Sequence, residues 1–327
     1  MRLTAYLLTM ALVMVLAPSL QACDAATYLR LLVEQEKARM ARPTKLNEKD
    51  LLVLHSEGLT GALTLARKMF MREHKGYRVF LESCSSTGET TGTSLPADII
   101  ALTDSWPIRE LLMPKDADYY VNFARDELVI AYGGEGSNYD QLRDASWKQI
   151  LHSDTLRFGR TDAQSDDCGV RTLLALTLLE QKEEFKGIKD RLLAQKRVYP
   201  SVTKLVGKIL HDKVDYAIMY RSVATYHRML MTKLPKDLSL GDKDEISSYQ
   251  KASITVEKPG NPPVKLERKA APITCSFTIL RSATHRQAAR LFAEFLLSRR
   301  GAGVVSQGGL KPIVGGRVAF SRETSIY

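Results

Sequence analysis

The chain has 327 residues, a formal charge of +10 and 44% hydrophobic residues, and it carries four cysteines. Such a length exceeds what one hydrophobic core usually organises, so one large or two modest lobes are expected. Plentiful Leu, Val and Ile exclude wholesale disorder and fibrous classes, and the cysteines are too sparse for a disulfide scaffold. The positive balance points to an anionic partner: nucleic acid, a membrane surface or a small anion.

The amino terminus bears on the compartment. Residues 5–20 are almost wholly apolar, short for a spanning helix and placed where a secretory signal belongs. The run ends in Leu20-Gln21-Ala22-Cys23, which resembles a bacterial lipobox. That resemblance implies a lipoprotein signal peptide over 1–22 and lipidation of Cys23. It also implies a membrane contact through the lipid anchor. Cleavage of an ordinary signal near Ala22 is the other reading. Both imply export, to the periplasm or the extracytoplasmic face of the cytoplasmic membrane. Residues 23–49 are mixed and charged and read as a tether. Export argues against a nucleic-acid partner. Lys and Arg are scattered, aromatics are 7%, and no RNA- or DNA-binding signature is present. The run from Lys182 to Arg197 carries both signs and reads as a solvated helix face.

A βα rhythm follows in chain order. Residues 50–55 read as a short apolar strand, and 59–74 as a helix with Leu59, Leu63, Ala66, Met69 and Phe70 on one face. Strands are expected over 77–81 and 97–102, separated by a Ser/Thr/Gly loop. A short helix is expected over 107–113, with Pro107 near its start. Strands follow at 128–132 and 155–159, with 147–151 helical between them. Helices are expected over 170–181, 202–210 and 223–231, with a strand at 216–220. The segment 233–272, with Pro235, Pro259, Pro262 and Pro263, reads as irregular. A strand over 273–280 and an amphipathic helix over 285–297 complete the pattern. Such alternation argues an α/β protein with covered sheets. Its ligands belong beyond the carboxyl ends of strands, near helix starts.

Four strand-to-helix loops carry candidate chemistry. They are His55–Gly61, Glu82–Gly88, Arg160–Leu173 and Asp215–Ala224. The first two offer Ser and Thr hydroxyls, and helix starts offer free amides, which together make an anion cradle. A single such loop is equally well a polar cap. Four of one kind carry more weight.

At these loops the chain resembles the extracytoplasmic solute-binding proteins of tungstate/molybdate ABC transporters. The matching segments are HSEGLT (55–60), Ser85-Ser86, DDCGVR (166–171) and DYAIMYRSVA (215–224). Further matches are ADIIALTD (97–104), YYVNFARDELVIAY (119–132) and AARLFAEFLLS (288–298). The resemblance implies a two-lobed α/β type II periplasmic-binding-protein fold with crossover hinge strands. Lobe one would take 50–127 plus 274–327, and lobe two 128–273. It implies capture of a small oxyanion in the cleft, delivery to an ABC permease, no cofactor and no enzymatic activity. The implied oxyanion-binding residues are Ser56, Gly58, Thr60, Ser85, Ser86, Asp166, Cys168, Met219 and Tyr220.

Departures from the family pattern fall at these positions. The family serine of the first loop aligns with Gly58, and the family Glu of the last loop aligns with Met219. Asp166 keeps the family Asp, which contacts the metal centre in archaeal members. A four-coordinate anion held by hydrogen bonds therefore fits the remaining groups better than a six-coordinate one. Asp166 can accept a proton from a protonated anion, cap the helix or sit outside the shell. Arg171 and Arg221 are candidate neutralising cations, or else structural arginines. A different anion, an organic solute, or a sensor that transports nothing are the other readings.

Competing chemistries find little support. The six histidines stand singly, with no CxxC or HExxH, and there is no Walker A or GxSxG sequence. Two loose Ser-x-x-Lys matches, Ser201–Lys204 and Ser248–Lys251, lack the companion Lys-Thr-Gly. Beyond Cys23, Cys84, Cys168 and Cys275 form an odd set. A Cys84–Cys168 bridge would link the lobes and oppose their opening, and is not expected. Ser86→Ala should lower anion affinity by about 1–3 kcal/mol, one hydrogen bond to a charged acceptor. An unchanged calorimetric affinity would remove Ser86 from the shell.

Overall fold

The computed structural model describes residues 46–84, 97–258 and 264–320. The expected signal peptide, Cys23 and most of the expected tether lie outside the described residues, as do Ser85 and Ser86.

Strand β1 (Asp50–His55) is buried at all six positions. It pairs in parallel with β2 (Arg78–Ser83) on one side and β3 (Ile99–Leu102) on the other. A strand covered on both faces needs an unbroken apolar run, which Leu51-Leu52-Val53-Leu54 supplies. Helix α1 (Thr60–Glu73) returns across this sheet and buries Leu63, Ala66 and Phe70. Strand β4 (Tyr119–Arg125) stays in the first sheet, and β5 (Leu128–Tyr132) begins the second.

The second sheet gathers β6 (Phe158–Thr161), β7 (Val198–Tyr199), β8 (Tyr216–Tyr220) and β9 (Leu230–Lys233) around β5, in the order β7-β6-β8-β5-β9. Its helices are α2 (Tyr139–Asp144), α3 (Trp147–His152), α4 (Asp167–Glu180), α5 (Ile188–Ala194), α6 (Val202–Leu210) and α7 (Arg221–Tyr226). Two one-turn helices, α8 (Lys236–Ser239) and α9 (Ile246–Tyr249), lead to an antiparallel hairpin of β10 (Ser253–Lys258) and β11 (Val264–Lys269). The chain then re-enters the first sheet as β12 (Thr274–Ile279). Helices α10 (Arg286–Leu297) and α11 (Arg299–Gln307) follow, and edge strand β13 (Lys311–Phe320) closes the order β13-β4-β12-β3-β1-β2.

Each sheet has its own hydrophobic core. The chain crosses between them twice, after β4 and before β12. The two crossings are bonded to each other, because Asp126 N–H donates to Ile273 O at 3.2 Å.

Several expectations need correction. The helix expected over 223–231 stops at Tyr226. Arg228 turns into the left-handed region (φ +53°), and the chain enters β9, which pairs with β5. The segment 233–272 is ordered over most of its length. Its hairpin alternates with period two, so that Val256 and Arg268 are buried between exposed neighbours. Pro235 precedes α8, and Pro259, Pro262 and Pro263 lie outside the described residues. The strand expected at 155–159 lies at 158–161. The short helix at 107–113 is one wide turn over Ile108–Leu112. The charged stretch 182–197 is more than a solvated face, since Phe185, Ile188 and Leu192 are buried in it.

Phe70 anchors the first core. Its ring meets Phe292 edge-on at 5.2 Å and Phe295 at 5.7 Å between centroids, and it is fully buried. Phe70→Ala should cost about 3–5 kcal/mol of stability through lost burial and the cavity left behind. A denaturant titration checks this. A shift below about 1 kcal/mol would mean that the core collapses around the gap.

Candidate functional site

A cavity of about 400 Å³ opens between the two sheets where strand ends and helix starts converge. Sheet one supplies the loop after β1 (Ser56, Glu57, Gly58), the end of β2 (Ser83, Cys84) and Thr103 after β3. Sheet two supplies Ser165–Cys168 at the start of α4, residues around Ser201 at the start of α6, and Tyr220 at the end of β8. Carboxyl ends of strands meeting helix amino termini are where open α/β sheets hold ligands.

Of the residues singled out in the sequence, Ser56, Gly58, Asp166, Cys168 and Tyr220 line this cavity. Thr60 opens α1 and is not among its lining residues. Met219 is fully buried in the second core, also away from the lining. Successive strand residues face opposite ways, so Tyr220 in the cavity sends Met219 inward.

Ser56 acts partly through its neighbour. Its Oγ accepts the backbone N–H of Thr103 at 3.0 Å and donates to Thr103 Oγ1 at 3.3 Å. Thr103 is a lining hydroxyl that the sequence reading missed. It stands at a strand end, the same signal that picked out Ser56. Gly58 is required by close approach. A Cβ there would lie 2.7 Å from Thr103 Cγ2 and 3.1 Å from the Tyr220 ring.

Asp166 caps α4. Its Oδ1 accepts the Cys168 N–H at 2.8 Å and the Thr161 hydroxyl at 3.0 Å. Burial pushes its pKa up to about 7, opposed by the Thr161 hydrogen bond and reinforced by the nearby Glu57 and Asp167. Asp167 points the other way. Its Oδ2 accepts the Tyr220 hydroxyl at 2.7 Å, and burial keeps that phenol protonated by raising its pKa well above the ordinary value. Arg268 stands 3.4 Å and Arg171 3.6 Å from the Asp167 carboxylate. Glu57 reaches from the loop after β1 to the second sheet's helices, its Oε2 accepting the Thr203 N–H in the first turn of α6 at 2.9 Å. Three carboxylates and one cation, Lys204, therefore line the cavity, and each carboxylate is bonded to a helix start, hydroxyl or arginine. Arg171 is a structural arginine, 2.9 Å from Asp104, and Arg221 pairs with Glu127 at 3.2 Å. Cys84, Cys168 and Cys275 are free thiols, and burial pushes Cys84 up to about 12.

The sequence pattern of the bacterial extracellular solute-binding proteins matches residues 51–311. The chain belongs to that family. Its members are solute-binding transport components, and membership implies an extracytoplasmic location. A molybdate/tungstate-binding protein of Pyrococcus abyssi is 30% identical over 243 residues, covering 67% of this chain and 69% of its own length. A solute-binding protein of Methanoculleus marisnigri is 27% identical over 296 residues, covering 82% of each chain. The periplasmic molybdate-binding protein of Azotobacter vinelandii has the same fold, with a TM-score of 0.55 at 15% identity. That match covers 80% of this chain and 98% of the other. The architecture is thus the two-lobed type II α/β fold that the resemblance implied. Among the described residues no helix is long and apolar enough to cross a membrane.

The raised Asp166 pKa has a defined sign for stability in this solute-binding protein. Between about pH 4 and about pH 7 the folded state holds a proton that the unfolded chain has lost, so stability falls as pH rises. Asp166→Asn keeps the cap acceptor but cannot ionise. The variant should gain on the wild type by more than about 1 kcal/mol on going from pH 5 to pH 8. Denaturant midpoints at the two pH values measure this, and a constant difference would remove Asp166 from the titrating groups.

Proposed function

We propose that this protein captures a small oxyanion of the molybdate/tungstate kind in the cavity between its lobes and hands it to an ABC permease. The lobes are taken as 50–127 plus 274–327 and 128–273. In this reading Cys23 is lipidated, residues 1–22 are the signal, and residues 23–49 tether the domain to the membrane. The observation that carries it is a cavity lined by hydroxyls and by the starts of α4 and α6, in a chain whose Pyrococcus relative bears that name.

The physics supports a hydrogen-bonded anion. A dianion stripped of water needs fixed donors, and backbone amides at helix starts with Ser and Thr hydroxyls supply them without a full counter-charge. Ser56, Gly58, Asp166, Cys168 and Tyr220 would form the described part of the shell. Ser85 and Ser86 would complete it. Thr60 and Met219 would act through packing. Closure of one lobe on the other would bury the anion and couple binding to shape. A different anion or an organic solute is the second reading, and the three carboxylates in the lining favour the organic solute.

Calorimetry of the protein against molybdate, tungstate, sulfate and phosphate tests the proposal. Saturable binding of molybdate or tungstate is expected, and binding of none of the four would sink it. Affinity should also fall as pH rises through about 7, when Asp166 takes on charge facing the anion. Asp166→Asn should flatten that dependence.

A further inference from the structure

A second, larger cavity of about 580 Å³ also lies between the two bodies, beside the crossover segments. Its lining comes from the segment after β3, the end of β4, β11, Ala271–Thr274 and β13. An ion-pair wall divides it from the first cavity. Asp104 and Arg268 are in direct contact, Arg171 stands 2.9 Å from Asp104, and both arginines reach on to Asp167 in the first cavity. The second cavity is strongly basic, with seven cationic side chains lining it against two carboxylates.

Much of that charge is not spent internally. Arg171 and Arg268 are committed to Asp104 and Asp167. Arg109 pairs with Glu110, and Lys243 lies near Asp244. Among the described residues, Arg125, Lys269 and Arg317 pair with no carboxylate. Arg125 and Arg317 come from neighbouring strands of the first sheet, and Lys269 comes from the hairpin of the second body. Like charges brought together in one cavity repel, and a multivalent anion relieves that repulsion. Guanidinium forks match carboxylate and phosphate oxygens in pairs. The Trp106 ring, under the Arg268 guanidinium at 4.8 Å, adds a flat apolar wall. The volume is large enough for an organic molecule.

We infer that this basic cavity is a second anion site, distinct from the first, that takes a small organic or condensed anion with two or more carboxylate or phosphate groups. Arg125, Lys269 and Arg317 hold it from both bodies at once. The inference is independent of which solute occupies the first cavity.

Calorimetric titration of the full chain with citrate and with pyrophosphate, at low and high salt, tests it. Saturable binding of at least one probe, weakened by salt, is expected, and the better probe tells carboxylate from phosphate. The paired change Arg125→Ala and Arg317→Ala should weaken it at least about tenfold, the loss of charge-assisted hydrogen bonds. Lys269→Glu, an exposed change that spares the sheet, should do the same. Melting temperatures establish that each variant is folded. Saturating molybdate should leave a finite probe affinity. No saturable heat with either probe up to about 1 mM would overturn the inference. So would binding that folded variants leave unchanged, or strict competition between probe and molybdate.

Discussion

Asp126 sits fully buried in the first crossover, and the junction of the two bodies is organised around its carboxyl group. The Glu127 N–H approaches one oxygen at 2.8 Å, and Ser222 Oγ lies 2.5 Å from the other. The same Ser222 Oγ is 2.8 Å from Gly58 O in the loop after β1. A serine hydroxyl has one proton and cannot donate fully to both oxygens. Burial, which pushes Asp126 up to about 7 against its hydrogen bonds, resolves this below that pH. Below that pH a proton on the carboxyl group is available to Ser222, which leaves the Ser222 proton for Gly58 O. A chain of two hydrogen bonds thus joins the crossover, the start of α7 and the first cavity loop. Through Gly58 O the joint reaches the first loop of the cavity.

The charge distribution follows the same economy. The net charge of +10 is absent from the first cavity, where carboxylates outnumber cations. Each of those carboxylates is used locally. Asp166 caps α4, Glu57 meets the first turn of α6, and Asp167 faces Tyr220 and two arginines. Buried ion pairs of the Asp104–Arg171 kind contribute little net stability, because desolvation offsets their attraction. Their effect is geometric. They set how closely the segment after β3 approaches α4 and β11, and they separate a cavity in which carboxylates outnumber cations from a basic one.

Much of this was legible in the sequence, for physical reasons. Strands covered on both faces must be apolar throughout, so β1, β3, β5 and β8 stood out. Loops rich in Ser, Thr and Gly between such strands and helices marked the cavity, and the unbroken order of motifs gave the family. What was missed obeys weaker rules. The hairpin β10–β11 alternates correctly, but its prolines and charges masked a period of two. Arg228 ends α7 through its own backbone angle, which no side-chain pattern announces. Glu57 and Asp167 were passed over because their partners, Thr203 and Tyr220, lie far away in sequence and are joined only by the fold.

The two departures from the family pattern have different structural settings. At Met219 the strand turns the side chain into the second core, so an apolar residue there satisfies burial. At Gly58 the loop passes between Thr103 and Tyr220, and any Cβ would collide with the Thr103 methyl. Tyr220 is itself fixed by Asp167, and Asp167 by the arginines that meet Asp104. Gly58, Thr103, Tyr220 and Asp167 therefore form one packing unit across the cleft. A serine restored at position 58 would need the Thr103 side chain to move, and with it the hydroxyl that Ser56 positions. The hydroxyl chemistry of the first loop accordingly rests on Ser56 and Thr103, held by each other rather than by the loop alone.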